Sequence, residues 1–425
     1  MHHGLSHLAP MSNMHQSALD PMKVVPRRQP TLAAAVLILA MLTSYNGVMP
    51  VFATRICKFF SLSVEQYGTM IGLGVLVQIP ALLLVGLLIA RFGVRRIAEF
   101  SIVGIGACFV VVGLGANLSS LRCSVAAHGF FAALSKVAVP AFLIALYPAL
   151  KRRMLSVQLV VFSTVGIAIP LWANQLLKWS AQRDDLVFSQ VFFGPFLIVG
   201  CIIVIGGVLL SLRSQPFLQV QHKKKETLHV RELFQYRSLV IVLLVALHVA
   251  ADGTIYSFLA MFMEHHFDVL PFSPAWALSG HNIAYLVTRF LLSLLPEGFP
   301  QRKILTLAGP IGGCILLLML WQGHAISIPL LYTLASLFYA AEFPALVSEI
   351  SSRSMGHFGT VLATGFLAGN AANFLLLTGT GRLFDTTGDF RVALSVAACG
   401  FIAFGMVIAV TGFGKAPLPQ KTVDS

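Results

Sequence analysis

The chain has 425 residues, of which 57% are apolar and 11% charged, and its formal net charge is +13. A soluble protein of this size carries about 25% charged residues, so the polar groups are too few to cover a water-exposed surface and a soluble fold is excluded. The positive charge does not imply nucleic acid, because the 29 lysines and arginines lie singly and in threes between apolar runs and form no single basic patch.

Residues 1–30 are polar and contain His2, His3, His7 and His15. They read as a disordered leader, with no metal site expected. The first apolar run opens near Thr31 and is too long for a signal-peptide core. From there, windows of roughly 20 apolar residues recur, each long enough to cross a hydrocarbon layer of about 30 Å. The predicted spans are 31–54, 66–90, 97–116, 122–149, 155–178, 190–212, 238–263, 273–296, 303–322, 327–350, 358–381 and 391–413. The expected fold is an all-α membrane protein of twelve transmembrane helices in two pseudo-symmetric six-helix bundles, 31–212 and 238–413. A linker over 213–237 joins the bundles, and a tail over 414–425 ends the chain.

Between the second and third spans runs Gly86-Leu87-Leu88-Ile89-Ala90-Arg91-Phe92-Gly93-Val94-Arg95-Arg96. A tight basic turn between membrane-length runs marks a cytoplasmic loop. With both termini cytoplasmic, 20 of the 29 Lys and Arg fall on the cytoplasmic side and seven on the outer side, the bias expected of that orientation. The linker, with Lys223-Lys224-Lys225 and Arg231, reads as a solvated segment near anionic headgroups.

The two halves echo each other. Asn46-Gly47 recurs as Asp252-Gly253 after 206 residues, Pro140-Ala141 as Pro344-Ala345 after 204, and Arg95-Arg96 as Arg302-Lys303 after 207. Repeated halves are how many secondary transporters build two-sided access to a central site. The six cysteines show no C-x-x-C spacing and read as small hydrophobes within helices. No metal site and no cofactor are expected, and no phosphate-binding G-x-x-x-x-G-K-[ST] loop is present. Asn117-Leu118-Ser119 is a glycosylation sequon placed in a very short loop.

Charges inside membrane spans cost about 2.5–3.5 kcal/mol each on insertion scales, which makes them candidates for function. Asp252 lies mid-span, with His248 and Tyr256 at i−4 and i+4 on one stripe. It is a candidate proton carrier, or a buried carboxyl that only packs its helix. Glu342, with Tyr339 before it and Phe343-Pro344 after it, is a second candidate carrier, or the partner of a cation on another helix. Arg289 shares a stripe with His281 and Tyr285, and would hold a carboxylate or snorkel to the cytoplasmic face. Lys136, two turns from His128, would hold substrate charge or pair with Asp252 or Glu342. Tyr45, Asn46, Tyr256 and Tyr285 add hydrogen-bonding groups to the candidate substrate site. Asn370, Asn373 and the Gly365-x-x-x-Gly369 spacing read as helix–helix contacts. Glu264-His265-His266 reads as a solvated loop.

Two six-helix halves, a long basic central loop and the Gly86…Arg91-Phe92-Gly93…Arg95 turn resemble the major facilitator superfamily. The turn is similar to that family's G-x-L-x-D-R-x-G-R-R loop, with Gly86, Leu88, Arg91, Gly93 and Arg95 in place and Ala90 where the family has its acid. The resemblance implies that Gly86, Arg91, Gly93 and Arg95 take part in conformational gating, and that the latch made by the family's carboxylate is missing. The second half reads Leu294-Leu295-Pro296-Glu297-Gly298 at the equivalent place. Tyr147-Pro148-Ala149-Leu150-Lys151-Arg152-Arg153 is similar to the entry into the fifth helix of monocarboxylate-type porters. Those porters hold a substrate carboxylate with an arginine in the eighth helix, where this chain has Arg289. Their aspartate one turn earlier is Tyr285 here, and their helix-one acid is Asn46. Sugar-porter P-E-S-P-R is absent, and Gly166-Ile167-Ala168-Ile169-Pro170 matches only part of the drug-antiporter motif.

The expected function is a secondary active transporter, not an enzyme, that moves a small solute by alternating access. It is a monomer in a bacterial inner membrane, with the lipid bilayer, protons and a small-molecule substrate as partners. Lys136 and Arg289 would hold an organic anion while Asp252 or Glu342 carries the proton. The alternatives are an exporter of drugs or metabolites, and a transporter-shaped sensor that moves nothing.

Overall fold

The computed structural model describes residues 29–115, 117–147, 150–181, 188–212, 236–296, 299–353 and 358–413. Nearly all of the predicted leader and linker, and the whole tail, lie outside the described residues. Among the described residues every regular element is helical. Three of the twelve helices among these residues are broken. In chain order they are α1a (Gln29–Leu42), continued by a 3-10 turn (Thr43–Val48) into α1b (Met49–Phe60); α2a (Val64–Leu76) and α2b (Gln78–Phe92); α3 (Val94–Leu114); α4 (Leu118–Leu146); α5 (Lys151–Ala181); and α6 (Phe188–Leu212). The second half holds α7 (Tyr236–His266), α8 (Pro274–Ser293), α9 (Gln301–Trp321), α10a (Ser327–Tyr339), α10b (Glu342–Arg353), α11 (Phe358–Thr387) and α12 (Phe390–Thr411). Among the described residues eleven spans are long and apolar enough to cross a membrane by themselves. The twelfth, α8, carries His281, Asn282 and Arg289 and is seated by packing on α10a and α5.

Several helices run past their predicted ends, because local caps extend them beyond the apolar stretch. Ser63 Oγ accepts from Gln66 N at 3.2 Å while Gln66 Oε1 accepts from Ser63 N at 3.1 Å, a reciprocal cap that opens α2a. Asn117, the sequon asparagine, accepts from Ser120 N at 2.7 Å and starts α4. The expected loop at Glu264-His265-His266 is instead the last turn of α7. There the His265 ring packs on Phe384 and Phe390, and His266 packs on Phe262 and Phe267.

Within the first half α3 packs against α4 and α6; within the second, α7 packs against α11 and α12, and α9 against α12. The halves meet along α1b–α7, α2a–α11 and α5–α8. Missing side chains allow the closest of these approaches. A Cβ on Gly68 would lie 2.5 Å from the Leu377 carbonyl oxygen, and one on Gly72 would lie 2.8 Å from the Phe374 ring. Ser279 Oγ of α8 donates to the Ile167 carbonyl of α5 at 2.8 Å. By contrast α2b, which leads to the Arg91 turn, draws away from α11. The halves are therefore joined at the face opposite the Arg91 turn and part toward the turn.

The turn itself depends on Gly93, whose φ of 86° ends α2b and opens α3. Only glycine holds such a backbone at little cost. Arg95 binds Glu99 at 2.6 Å and the Leu210 carbonyl at 3.0 Å, which ties α3 to α6 inside the first half. Arg91 is exposed, its guanidinium 5.4 Å from the Phe92 ring. Gly86 is exposed as well, and a Cβ there would meet nothing within 4 Å. The four predicted gating residues thus differ: Gly93 sets the backbone, Arg95 braces the first half, and no close packing demands a glycine at 86.

Gly93→Ala is expected to destabilise the protein by roughly 1–3 kcal/mol through backbone strain, whereas Gly86→Ala leaves stability unchanged. Thermal melting of the two purified variants in detergent checks this contrast.

Candidate functional site

Among the described residues one cavity lies between the halves and a second lies within the first half, and the two share a wall made by Val75, Gln78 and Lys136. One, of about 350 Å³, faces α7, α8, α10 and α11; the other, of about 430 Å³, faces α1 to α5. The helix breaks converge here. Thr43 and Ser44 of the 3-10 turn line the larger cavity, Gln78 follows the break at Val77, and Ala340 of the break between α10a and α10b lines the smaller one. Irregular backbone at membrane depth is tolerated where it borders a polar cavity that can satisfy its freed groups. The first, second and tenth spans each cross as one stretch, as expected, with a break inside it.

The second half contributes a connected set of titratable groups. His248 and Asp252 lie one turn apart on α7. His248 Nδ1 lies 2.7 Å from Glu342 Oε2, and both side chains are buried. A contact of that length needs one proton between the two atoms, donated by either the imidazole or the carboxyl. Glu342 stands in the first turn of α10b, where unpaired N–H groups favour negative charge. Its other oxygen, Oε1, has no hydrogen-bond partner and lies against Gly309 of α9. Asp252 lines the smaller cavity, with its Oδ1 3.8 Å from His281 Nε2. The far side of that imidazole, Nδ1, sits 3.1 Å from both Ser336 Oγ and Tyr339 OH. Ser336 in turn donates to the Tyr332 carbonyl at 2.8 Å, and the His281 ring stacks on Tyr332 at 5.4 Å. Nδ1 of His281 is thus engaged by a pair of hydroxyls, while Nε2 faces the carboxylate across a gap longer than a hydrogen bond.

The cations are arranged differently from expectation. Lys136 is exposed to the cavities, and its Nζ donates to Gln78 Oε1 at 2.9 Å. The guanidinium of Arg289 lies 5.5 Å over the Tyr285 ring and lines the smaller cavity. Neither forms an ion pair with a carboxylate among the described residues. The predicted pairing of Lys136 with Asp252 or Glu342 is therefore corrected, since each acid faces a histidine within the second half. Glu342 does meet a group on another helix, His248 of α7, which is a cation when protonated.

Of the remaining candidates, Tyr285 lines the smaller cavity with Asn370 and Asn373. Tyr45 lines neither cavity. It is buried edge-on among Phe109, Trp172 and Phe196, at 6.0, 5.4 and 4.7 Å, so its place in a substrate site is corrected to one in the aromatic core. Tyr256 is likewise displaced from the cavity wall and packs on the His281 ring at 5.2 Å. The side chain of Asn46 lies outside the described residues. A Cβ on Gly365 or Gly369 would come within 3.0 or 3.1 Å of Val245 or Val249, so this spacing serves the packing of α11 on α7. Sequence reasoning missed Gln78, Gln158 and the wall position of His128, all of which line the larger cavity. A lone amide within an apolar run was the available signal for Gln78.

The sequence matches the Major Facilitator Superfamily over residues 32–375. No curated protein matches the chain in sequence. Its fold is similar to that of a bacterial homologue of the human lysosomal transporter Spinster, in an inward-facing and occupied conformation. That likeness has a TM-score of 0.68 at 14% identity and covers 91% of this chain and 96% of the other. It is similar to a D-xylose–proton symporter, with a TM-score of 0.68 at 15% identity over 91% of this chain and 99% of the other. A third likeness is to the transporter FucP in its outward conformation, with a TM-score of 0.60 at 16% identity over 92% of this chain and all of the other.

Glu342→Ala leaves His248 buried without its partner and is expected to cost about 1–3 kcal/mol. Glu342→Gln, which keeps a hydrogen-bonding oxygen and nitrogen in place, is expected to cost less. The melting temperatures of the two variants decide between them.

Proposed function

Because this chain belongs to the Major Facilitator Superfamily and is an integral membrane transporter, we propose that it moves a small organic anion by alternating access, coupled to protons. One observation carries this reading: Lys136 and Arg289 reach the cavity between the halves, and neither has a carboxylate partner among the described residues. A cation that reaches the cavity with no carboxylate beside it is open to a counter-ion, and a bound anion supplies one. Arginine adds a planar fork that matches a carboxylate with two hydrogen bonds.

Coupling rests on Asp252 and Glu342, each facing an imidazole. Asp252 borders the cavity beside Arg289, so the protonation of one bears on how strongly the other holds substrate charge. Glu342 is wholly buried behind it and shares a proton with His248. Proton coupling is also what the D-xylose–proton symporter is named for, and its fold is similar. The bias of Lys and Arg supports an orientation with both termini cytoplasmic, and hence an inward-open arrangement, in a bacterial inner membrane. A second reading, export of amphipathic compounds, draws on Phe343, Phe366 and Phe162 in the cavity walls.

In proteoliposomes, Arg289→Ala and Lys136→Ala are each expected to lower anion uptake by roughly 30-fold, since a lost hydrogen bond to a charged group costs about 1.5–3 kcal/mol. Wild-type uptake by both variants would leave the exporter reading, which drug sensitivity of a deletion strain tests. Asp252→Asn is expected to retain anion exchange while losing accumulation driven by an imposed pH gradient, measured in the same vesicles.

A further inference from the structure

The face opposite the Arg91 turn carries a contact that the transport reading does not use. The first N–H groups of a helix have no acceptor within it. In α2a, Gln66 N is taken by Ser63 Oγ at 3.2 Å and Tyr67 N by the Ser63 carbonyl at 3.1 Å. The first two donors are taken by the other half of the molecule. Val64 N donates to Asp385 Oδ1 at 3.1 Å, and Glu65 N donates to Asp385 Oδ2 at 2.9 Å. A carboxylate 321 residues further along the chain thus completes the cap of α2.

Charge and packing both favour this contact. The carboxylate places negative charge on the positive end of a 13-residue helix and uses both oxygens. Beside it, a Cβ on Gly381 of α11 would lie 2.6 Å from the Glu65 Cα. The Thr69 and Thr378 hydroxyls meet at 3.5 Å one turn further in. The glycine contact brings the α11 backbone against the start of α2a, and Asp385, one turn on, reaches its amides.

We propose that Asp385 is the latch that holds this face closed. It caps α2 only while the halves are together, so the amides of Val64 and Glu65 lose their acceptor whenever the face opens. The acceptor binds main chain and so does not depend on the side chains at 64 and 65. It is a positioning residue for the closed state and takes no part in holding substrate.

The test uses Cys57 as a reporter. This thiol lies in the last turn of α1b, which packs against α7 at the joined face, and is buried. In a full-length chain with the other five cysteines replaced, a membrane-impermeant maleimide is applied to right-side-out vesicles and the labelling rate is measured. Asp385→Ala is expected to raise the rate about five- to tenfold, because two charge-assisted hydrogen bonds at a partly exposed site are lost. Asp385→Asn, which keeps one neutral acceptor, falls between the two. Asp389→Ala is the control: Asp389 caps α12 within its own half, accepting from Arg391 N at 2.8 Å, and its loss leaves the rate unchanged. A parental rate in Asp385→Ala overturns the proposal, and so does an equal rise in Asp389→Ala. If Asp385→Ala does not reach the membrane, Asp385→Asn carries the test on the same criterion. Labelling that rises only in inside-out vesicles reverses the assigned orientation and supports the latch. The measurement uses no substrate, so failure of the anion reading and failure of the latch are seen separately.

Discussion

A charged side chain in hydrocarbon must find a partner or reach water, and the interior of this protein is arranged around that requirement. The two acids of the second half each face a histidine, Glu342 with His248 and Asp252 with His281. Histidine is a partner that can be neutral or charged, so either pair can hold its proton on either member. The lysine and arginine cannot be satisfied that way. They extend into the space between the halves, where Gln78 supplies one neutral acceptor and Tyr285 one aromatic face. Of the acids, Glu342 is buried away from the gap, whereas Asp252 lines the cavity together with Lys136 and Arg289.

The same requirement accounts for where the helices break. Opening α1 at Thr43–Val48, α2 at Val77 and α10 at Ala340–Ala341 frees backbone groups that hydrocarbon could not satisfy. All three breaks border the cavities. The last also places Glu342 at the start of a helix, next to the donors that favour its negative form.

Movement between the halves requires contacts that can part without unfolding either one. The joined face uses glycine against backbone at Gly68 and Gly381, a serine hydroxyl on a carbonyl at Ser279, and a carboxylate on amide groups at Asp385. Each can be exchanged for water. Large side chains meet there as well, with Tyr67 of α2a edge-on to Phe258 of α7 at 6.1 Å, while the Tyr45, Phe109 and Phe196 cluster lies inside one half.

From the chain alone, the membrane fold, the positions of its spans and the division into two halves were legible, because a bilayer imposes a rule that acts along the sequence: about 20 apolar residues per crossing. The presence of Asp252, Glu342, Lys136 and Arg289 at membrane depth was legible for a similar reason, as a charge within such a run is conspicuous wherever its neighbours fall. Their partners were not. Lys136 meets Gln78 across 58 residues, His248 meets Glu342 across 94, and Val64 meets Asp385 across 321. Tyr45 was misplaced because a tyrosine in a span looks the same whether its helix turns it toward a cavity or toward the phenylalanines behind it. Sequence therefore settled which groups must be satisfied. Packing of the helices decided what satisfies them, because helix rotation and the site of a break depend on contacts between residues far apart in the chain.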